Sequence, residues 1–148
     1  MTTVYVYVMN TMADWEIGYC LAELHSNVRI LEIAKRFIEV GGLVAAICGA
    51  TVALANIGLL DDKKHTSNGA GFLNMFCPEY RGTDNYIDKP AVRDGNLITT
   101  AATGALDMTR LILEYLDVFG AATLEHWYAY FSTGNANEFF AMMQSLQK

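Results

Sequence analysis

The sequence predicts an α/β protein built on a doubly wound, mostly parallel sheet, and three observations carry that prediction. Leu43-Val-Ala-Ala-Ile47 is an apolar run without polar alternation, the pattern of a parallel strand covered on both faces. Stretches of strand character alternate along the chain with stretches of helical periodicity. At Cys48-Gly49-Ala50 a strand stops at a nucleophile and a helix starts at once, and open α/β sheets carry their sites at the carboxyl ends of strands.

Residues 3 to 9 place valine at every second position, interleaved with tyrosine, which predicts a first strand with two apolar faces. Asp14 caps a helix expected to run to about Leu24, with Ile17, Cys20, Leu21 and Leu24 on its core face. A second helix is expected from about Val28 to Val40, burying Ile30, Ala34, Phe37 and Ile38 and ended by Gly41-Gly42. The strand Leu43 to Ile47 and a helix from about Thr51 to Ile57 flank Cys48. Gly58 to Asp62 turns the chain into a short strand, Lys63 to Ser67, and a helix near Gly71 to Phe76 ends at Cys77-Pro78.

Pro90 to Thr100 reads as a hairpin turning at Asp94-Gly95, followed by a helix from about Leu106 to Leu116. Leu124, Trp127, Tyr128 and Phe131, and then Phe139, Phe140, Met143 and Leu146, recur at helical spacing on either side of the turn-rich Ser132 to Asn137. Such stripes are core or dimer surface. The expectation is one domain over residues 1–148, with 122–148 as a C-terminal helical extension.

Composition narrows the partners. The chain of 148 residues is 53% hydrophobic, yet no stretch approaches the roughly 18 uncharged apolar residues of a membrane span. A net charge of −6, with no basic cluster beyond Lys63-Lys64, opposes binding to nucleic acid or anionic lipid. The start reads as a strand without a basic leader, so the cytoplasm is the expected location. Three cysteines, an odd number without CxxC spacing, predict reduced thiols and neither disulfides nor zinc. Gly69-Ala-Gly71 lacks the lysine of a phosphate loop and the third glycine of a dinucleotide turn, so no metal, nucleotide, flavin or other cofactor is expected. A small molecule, a peptide or a second copy of the chain fits better.

Cys48 carries the chemical expectation. A thiol at the start of a helix faces amides whose partial positive charge favours thiolate over thiol, in the geometry of a nucleophile elbow with cysteine in place of serine. The alternative is a small buried hydrophobe ending a strand. The amides of Gly49 and its neighbour are placed to steady an oxyanion, with Asn68 or Thr103 lining the pocket. His25 and His126 have no partner in sequence and are read as surface residues.

Three stretches and a tripeptide together resemble one family: Ala45-Ala-Ile-Cys48-Gly-Ala, Leu54 to Ser67, Val92 to Thr100, and Asp14-Trp-Glu16. They are similar to the PfpI-type intracellular proteases of the class I glutamine amidotransferase-like superfamily, over about residues 3 to 25 and 40 to 118. The resemblance implies a flavodoxin-like three-layer sandwich and commonly a homodimer. It assigns Cys48 as nucleophile and Glu16 as the acid that approaches the thiol, where a protonated carboxyl would donate a hydrogen bond to sulfur. Activities named in the superfamily include peptidase, amidotransferase, glyoxalase and deglycase, and some members act as redox sensors or chaperones.

This sequence departs from the family pattern at three places. Gly49 stands where protease-like members have a histidine after the nucleophile, and Asn68 stands where others end the next strand in histidine. His65, three residues earlier, is left as the possible base. The second strand and the Pro-Gly-Gly strand end that supplies an oxyanion amide are missing, because His25-Ser-Asn-Val-Arg29 runs straight into the helix before Cys48. The first expectation is therefore a cysteine-dependent hydrolase or amidase acting on a small molecule or peptide. The second is a non-catalytic or redox-sensing dimeric module of the same fold. Glutamine amidotransfer is disfavoured, since Thr99 to Gly104 holds neither histidine nor glutamate.

Overall fold

The computed structural model describes residues 28 to 146. The expected first strand and first helix, with Glu16, Cys20 and His25, lie outside the described residues. Those described have the α/β, flavodoxin-like organisation expected of the chain.

Helix α1 (Val28–Glu39) turns Leu31, Ala34 and Ile38 to the core. The expected face included Phe37, but that ring is 37% exposed and lies across Gly42, where an added Cβ would sit 2.3 Å from it. The helix ends in paired bonds from Gly41 to the Ile38 carbonyl (3.0 Å) and from Gly42 to the Phe37 carbonyl (2.7 Å), with Gly41 at φ 82°. A residue with a Cβ resists that left-handed cap.

Strand β1 (Val44–Ile47) leads through Cys48 into α2 (Gly49–Asn56), whose residues Thr51 to Ala55 are all buried. Short helix α3 (Phe72–Phe76) buries Leu73 and is followed by the hairpin of β2 (Ala91–Asp94) and β3 (Leu97–Thr100). The order is β1-β3-β2: β3 runs parallel to β1, with Ile47 opposite Thr100, and antiparallel to β2, with Asp94 opposite Leu97. That register makes Gly95-Asn96 the two-residue turn, one residue later than the expected Asp94-Gly95. Of its two central residues only Gly95 has positive φ (59°), as a type II′ hairpin requires. Asp94 instead accepts a hydrogen bond from the Lys64 amide at 2.8 Å.

Lys63 to Ser67 does not form the expected strand. It makes an isolated parallel bridge, His65 to Tyr86, and beyond it Thr66 bonds through its amide to Thr99 Oγ1 (2.8 Å) and through its hydroxyl to the Lys89 carbonyl (2.8 Å). Hydroxyl side chains have taken over work that backbone carbonyls do in a ladder.

The core gathers Ala46, Val52, Leu54, Ala55, Leu60, Leu73, Cys77, Tyr80 and Leu97 between α1, α2 and the sheet. Helix α4 (Ala105–Tyr115) packs on β2 and β3, and α5 (Ala121–Thr133) and α6 (Ala136–Ser145) form a hairpin beyond it. Of the two C-terminal stripes, Leu124 is buried, whereas Phe131 (57%), Phe140 (61%) and Leu146 (51%) remain on the surface. His126 lies part-buried against Glu138, Nδ1 to Oε2 at 2.8 Å. No helix among the described residues is long and apolar enough to cross a membrane.

Candidate active site

Cys48 sits on the corner between β1 and α2 with φ 55° and ψ −124°, a conformation that residues with a Cβ rarely adopt. The sheet fixes one side of the corner, since the Cys48 amide donates to the Thr100 carbonyl at 3.0 Å. The helix fixes the other, since the Cys48 carbonyl accepts from the Thr51 amide (3.1 Å) and from Thr51 Oγ1 (2.6 Å). Apolar packing of α2 on the sheet holds both anchors in place, so local strain is retained by the surroundings.

The thiol is half-buried and is met by one polar side chain among the described residues: Asn68 Nδ2 donates to Sγ at 3.2 Å. Asn68 Oδ1 accepts from the Ala102 amide at 2.8 Å. Because a backbone N–H can only donate, Ala102 fixes the orientation of the carboxamide, and the face turned to sulfur must be the NH2 group. The contact therefore puts a hydrogen-bond donor on the sulfur. Gly49 and Ala50 open α2, and their amides lie ahead of any carbonyl that the helix itself could offer them.

His65 is fully buried and both ring nitrogens are engaged. Nδ1 donates to the Lys63 carbonyl at 2.6 Å, which fixes the neutral tautomer and leaves Nε2 to accept from the Tyr80 hydroxyl at 2.5 Å. Tyr80 and Tyr86 stack edge-on against the ring. Burial lowers the His65 pKa from its ordinary value, and burial together with the Asp61 charge pushes Tyr80 up to about 12. The structure thus brings Cys48, Gly49 and Asn68 together and turns His65 to the tyrosines instead. Thr103 is exposed in the turn after Ala102, and Glu16 lies outside the described residues. Cys77 is buried, and desolvation raises its pKa.

Sequence reading missed Thr51, Ser67 and the Ala102 amide. Thr51 Oγ1 and Ser67 Oγ lie 2.6 Å apart in the interior. A hydroxyl three residues after the nucleophile was the one local signal for this pair.

An elbow cysteine at the carboxyl end of a parallel strand, with a carboxamide on its sulfur, defines a flavodoxin-like protein of the cysteine-elbow class. The DJ-1/PfpI family pattern matches residues 18 to 115, and the chain belongs to that family. It is 31% identical over 205 aligned positions to a protein named "Uncharacterized protease YoaZ" from Bacillus subtilis, covering 98% of each chain. An alignment of 205 positions against 148 residues leaves at least 57 positions with no residue of this chain opposite them. Protein dj-1beta of Drosophila melanogaster is 40% identical over 65 residues, 43% of this chain and 32% of that one. The solved thiJ/pfpI family protein of Bacillus anthracis superposes with a TM-score of 0.76 at 43% identity, over 78% of this chain and 55% of that one. The chain thus spans about half the length of that solved structure.

Proposed function

We propose that the protein is a cysteine-dependent hydrolase of protease or amidase type, acting on a small molecule or peptide through Cys48. The observation that carries this reading is the Cys48 corner itself: a strained, half-buried thiol at a strand end, facing a helix start, with a hydrogen-bond donor fixed on sulfur. Sulfur adds to the carbonyl carbon and the carbonyl electron pair moves to oxygen, where the amides of Gly49 and Ala50 receive the developing charge. Collapse expels the amine or alkoxide, which takes a proton from the carboxyl of Glu16 in this reading. Water then adds to the thioester carbonyl, giving one proton to the Glu16 carboxylate, and the carbon–sulfur bond breaks to release the acid and return the thiolate. The kinship to a protease-named relative supports the reaction class.

The reading includes a cytoplasmic protein acting as a homodimer, for which the exposed side chains of Phe131, Phe140 and Leu146 would suit a second copy. The test is turnover of an ester and amide panel by the wild type and by Cys48→Ser. Loss of turnover in the variant is expected, and full retention removes the proposal.

A second reading, a redox-sensing or non-catalytic module, is favoured by one observation: an amide instead of an imidazole meets the sulfur, and His65 is otherwise engaged. Peroxide titration followed by mass measurement at each cysteine separates the two. Oxygen added selectively at Cys48, with no ester or amide turnover, supports the second reading.

A further inference from the structure

We propose that Thr51 and Ser67 are positioning residues for Cys48: their buried hydroxyl pair aims the Gly49 N–H into the oxyanion site. The proposal rests on the hydrolase reading and deepens it.

Direction follows from donor counting. Thr51 has one hydroxyl proton, and the Cys48 carbonyl, which can only accept, takes it at 2.6 Å. The 2.6 Å contact between Thr51 Oγ1 and Ser67 Oγ therefore runs from Ser67 to Thr51. Thr51 and Ser67 are shut off from water, at 0% and 2% exposure, so no solvent molecule competes for the bond between them. The result is a polarised chain from Ser67 through Thr51 to the Cys48 carbonyl oxygen.

That oxygen belongs to the peptide whose nitrogen is Gly49. A trans peptide is planar with C=O and N–H opposed, and all the described peptides are trans. Holding the carbonyl inward on Thr51 therefore turns the Gly49 N–H outward. Rotation of this peptide would carry the Cys48 ψ away from −124° and swing the Gly49 N–H with it, and the hydroxyl chain opposes it.

Ser67 carries a second consequence, because the next residue is Asn68. Cys48 is thereby tied twice to consecutive residues, through its carbonyl to Ser67 by way of Thr51 and through Sγ to Asn68. The segment that bears them has an isolated bridge in place of a ladder. Its placement against the elbow depends on these side chains to a degree that a regular strand would not show.

The test compares two reactions of the same sulfur in the full-length protein. Alkylation of Cys48 by iodoacetamide needs no oxyanion donor, whereas acylation by p-nitrophenyl acetate does. Thr51→Val is expected to slow acylation about ten-fold or more while alkylation changes by less than about three-fold. Thr51→Ser restores acylation, Ser67→Ala shows a smaller loss, and the double variant Thr51→Val/Ser67→Ala is no worse than Thr51→Val alone. Acylation at the wild-type rate in Thr51→Val or in Ser67→Ala overturns the proposal. So does a Thr51→Ser variant as slow as Thr51→Val, or an equal fall in both reactions, since either points to packing alone. A wild-type protein that is alkylated at Cys48 but never acylated overturns the hydrolase reading, and this proposal with it, before any variant is made.

Discussion

Replacing His65 by leucine separates a structural histidine from a general base. The substitution removes the donor to the Lys63 carbonyl at 2.6 Å and the acceptor of the Tyr80 hydroxyl at 2.5 Å, leaving a part-buried carbonyl and a buried hydroxyl unpaired around a fully buried position. Each such group costs about 1 to 3 kcal/mol, and the apolar replacement recovers part of that, so a net loss of about 2 to 4 kcal/mol is expected near pH 8. The pH dependence carries the sharper test. Burial lowers the folded-state pKa of His65 from 6.5, so above pH 6.5 neither state holds the extra proton and the residue adds no pH-dependent term. As pH falls below 6.5 the unfolded chain takes up the proton first, and the native state loses stability at up to about 1.4 kcal/mol per pH unit until the folded value is reached. His65→Leu lacks that loss, and the gap between wild type and variant must narrow on acidification. Urea unfolding at pH 8, 7, 6 and 5 reads the gap, while iodoacetamide labelling of Cys48 at pH 7.5 is expected to stay within about two-fold of wild type, because His65 meets the tyrosines. A gap constant from pH 8 to pH 5 refutes the burial argument. A folded variant whose Cys48 chemistry collapses shows that His65 acts as a base.

Three further expectations rest on local geometry. Cys48→Gly removes the thiol and relieves a positive φ of 55°, so the urea midpoint should rise by the equivalent of about 1 kcal/mol while reactivity vanishes; a fall in midpoint argues that the corner is not strained. Thr100→Val replaces a buried hydroxyl that has no hydrogen-bond partner among the described residues, and a gain of about 1 kcal/mol in denaturant stability is expected; a loss of similar size shows that the oxygen has a partner. Gly104→Ala would place a Cβ 2.3 Å from the Pro90 carbonyl oxygen and 2.5 Å from Thr100 Cγ2, so a thermal scan should show a loss of about 2 kcal/mol or more, and a wild-type Tm contradicts the close approach.

The corner was legible in sequence because everything that makes it is local. An apolar strand, a thiol, two small residues and an apolar helix lie within thirteen consecutive positions, Leu43 to Ala55, and the glycines ending α1 and α2 announce their own caps. What surrounds the thiol was less legible. Asn68 could be marked as lining the pocket, but its grip on sulfur depends on a contact twenty residues apart and on the Ala102 amide another thirty-four away. Ser67 and Thr51 find each other across sixteen residues by the same tertiary route. The hairpin turn slipped by one position because Asp94 has a use on the Lys64 amide that outweighs its turn preference. Lys63 to Ser67 is expected as a short strand after the Gly58 to Asp62 turn, yet its threonine and serine hydroxyls provide the alternative bonds that displace a ladder.

Asn96, in the hairpin turn at the end of the sheet away from Cys48, grips the chain just before β1. Its side-chain amide donates to the carbonyls of Ile38 (3.0 Å) and Gly42 (2.7 Å), and its own carbonyl accepts from the Val44 amide at 2.9 Å. One residue thus splints the exit of α1 to the sheet from the downstream side. The seating of α1 is then dictated by chain that comes after it, and the strand that carries the nucleophile is bolted down at the end far from Cys48.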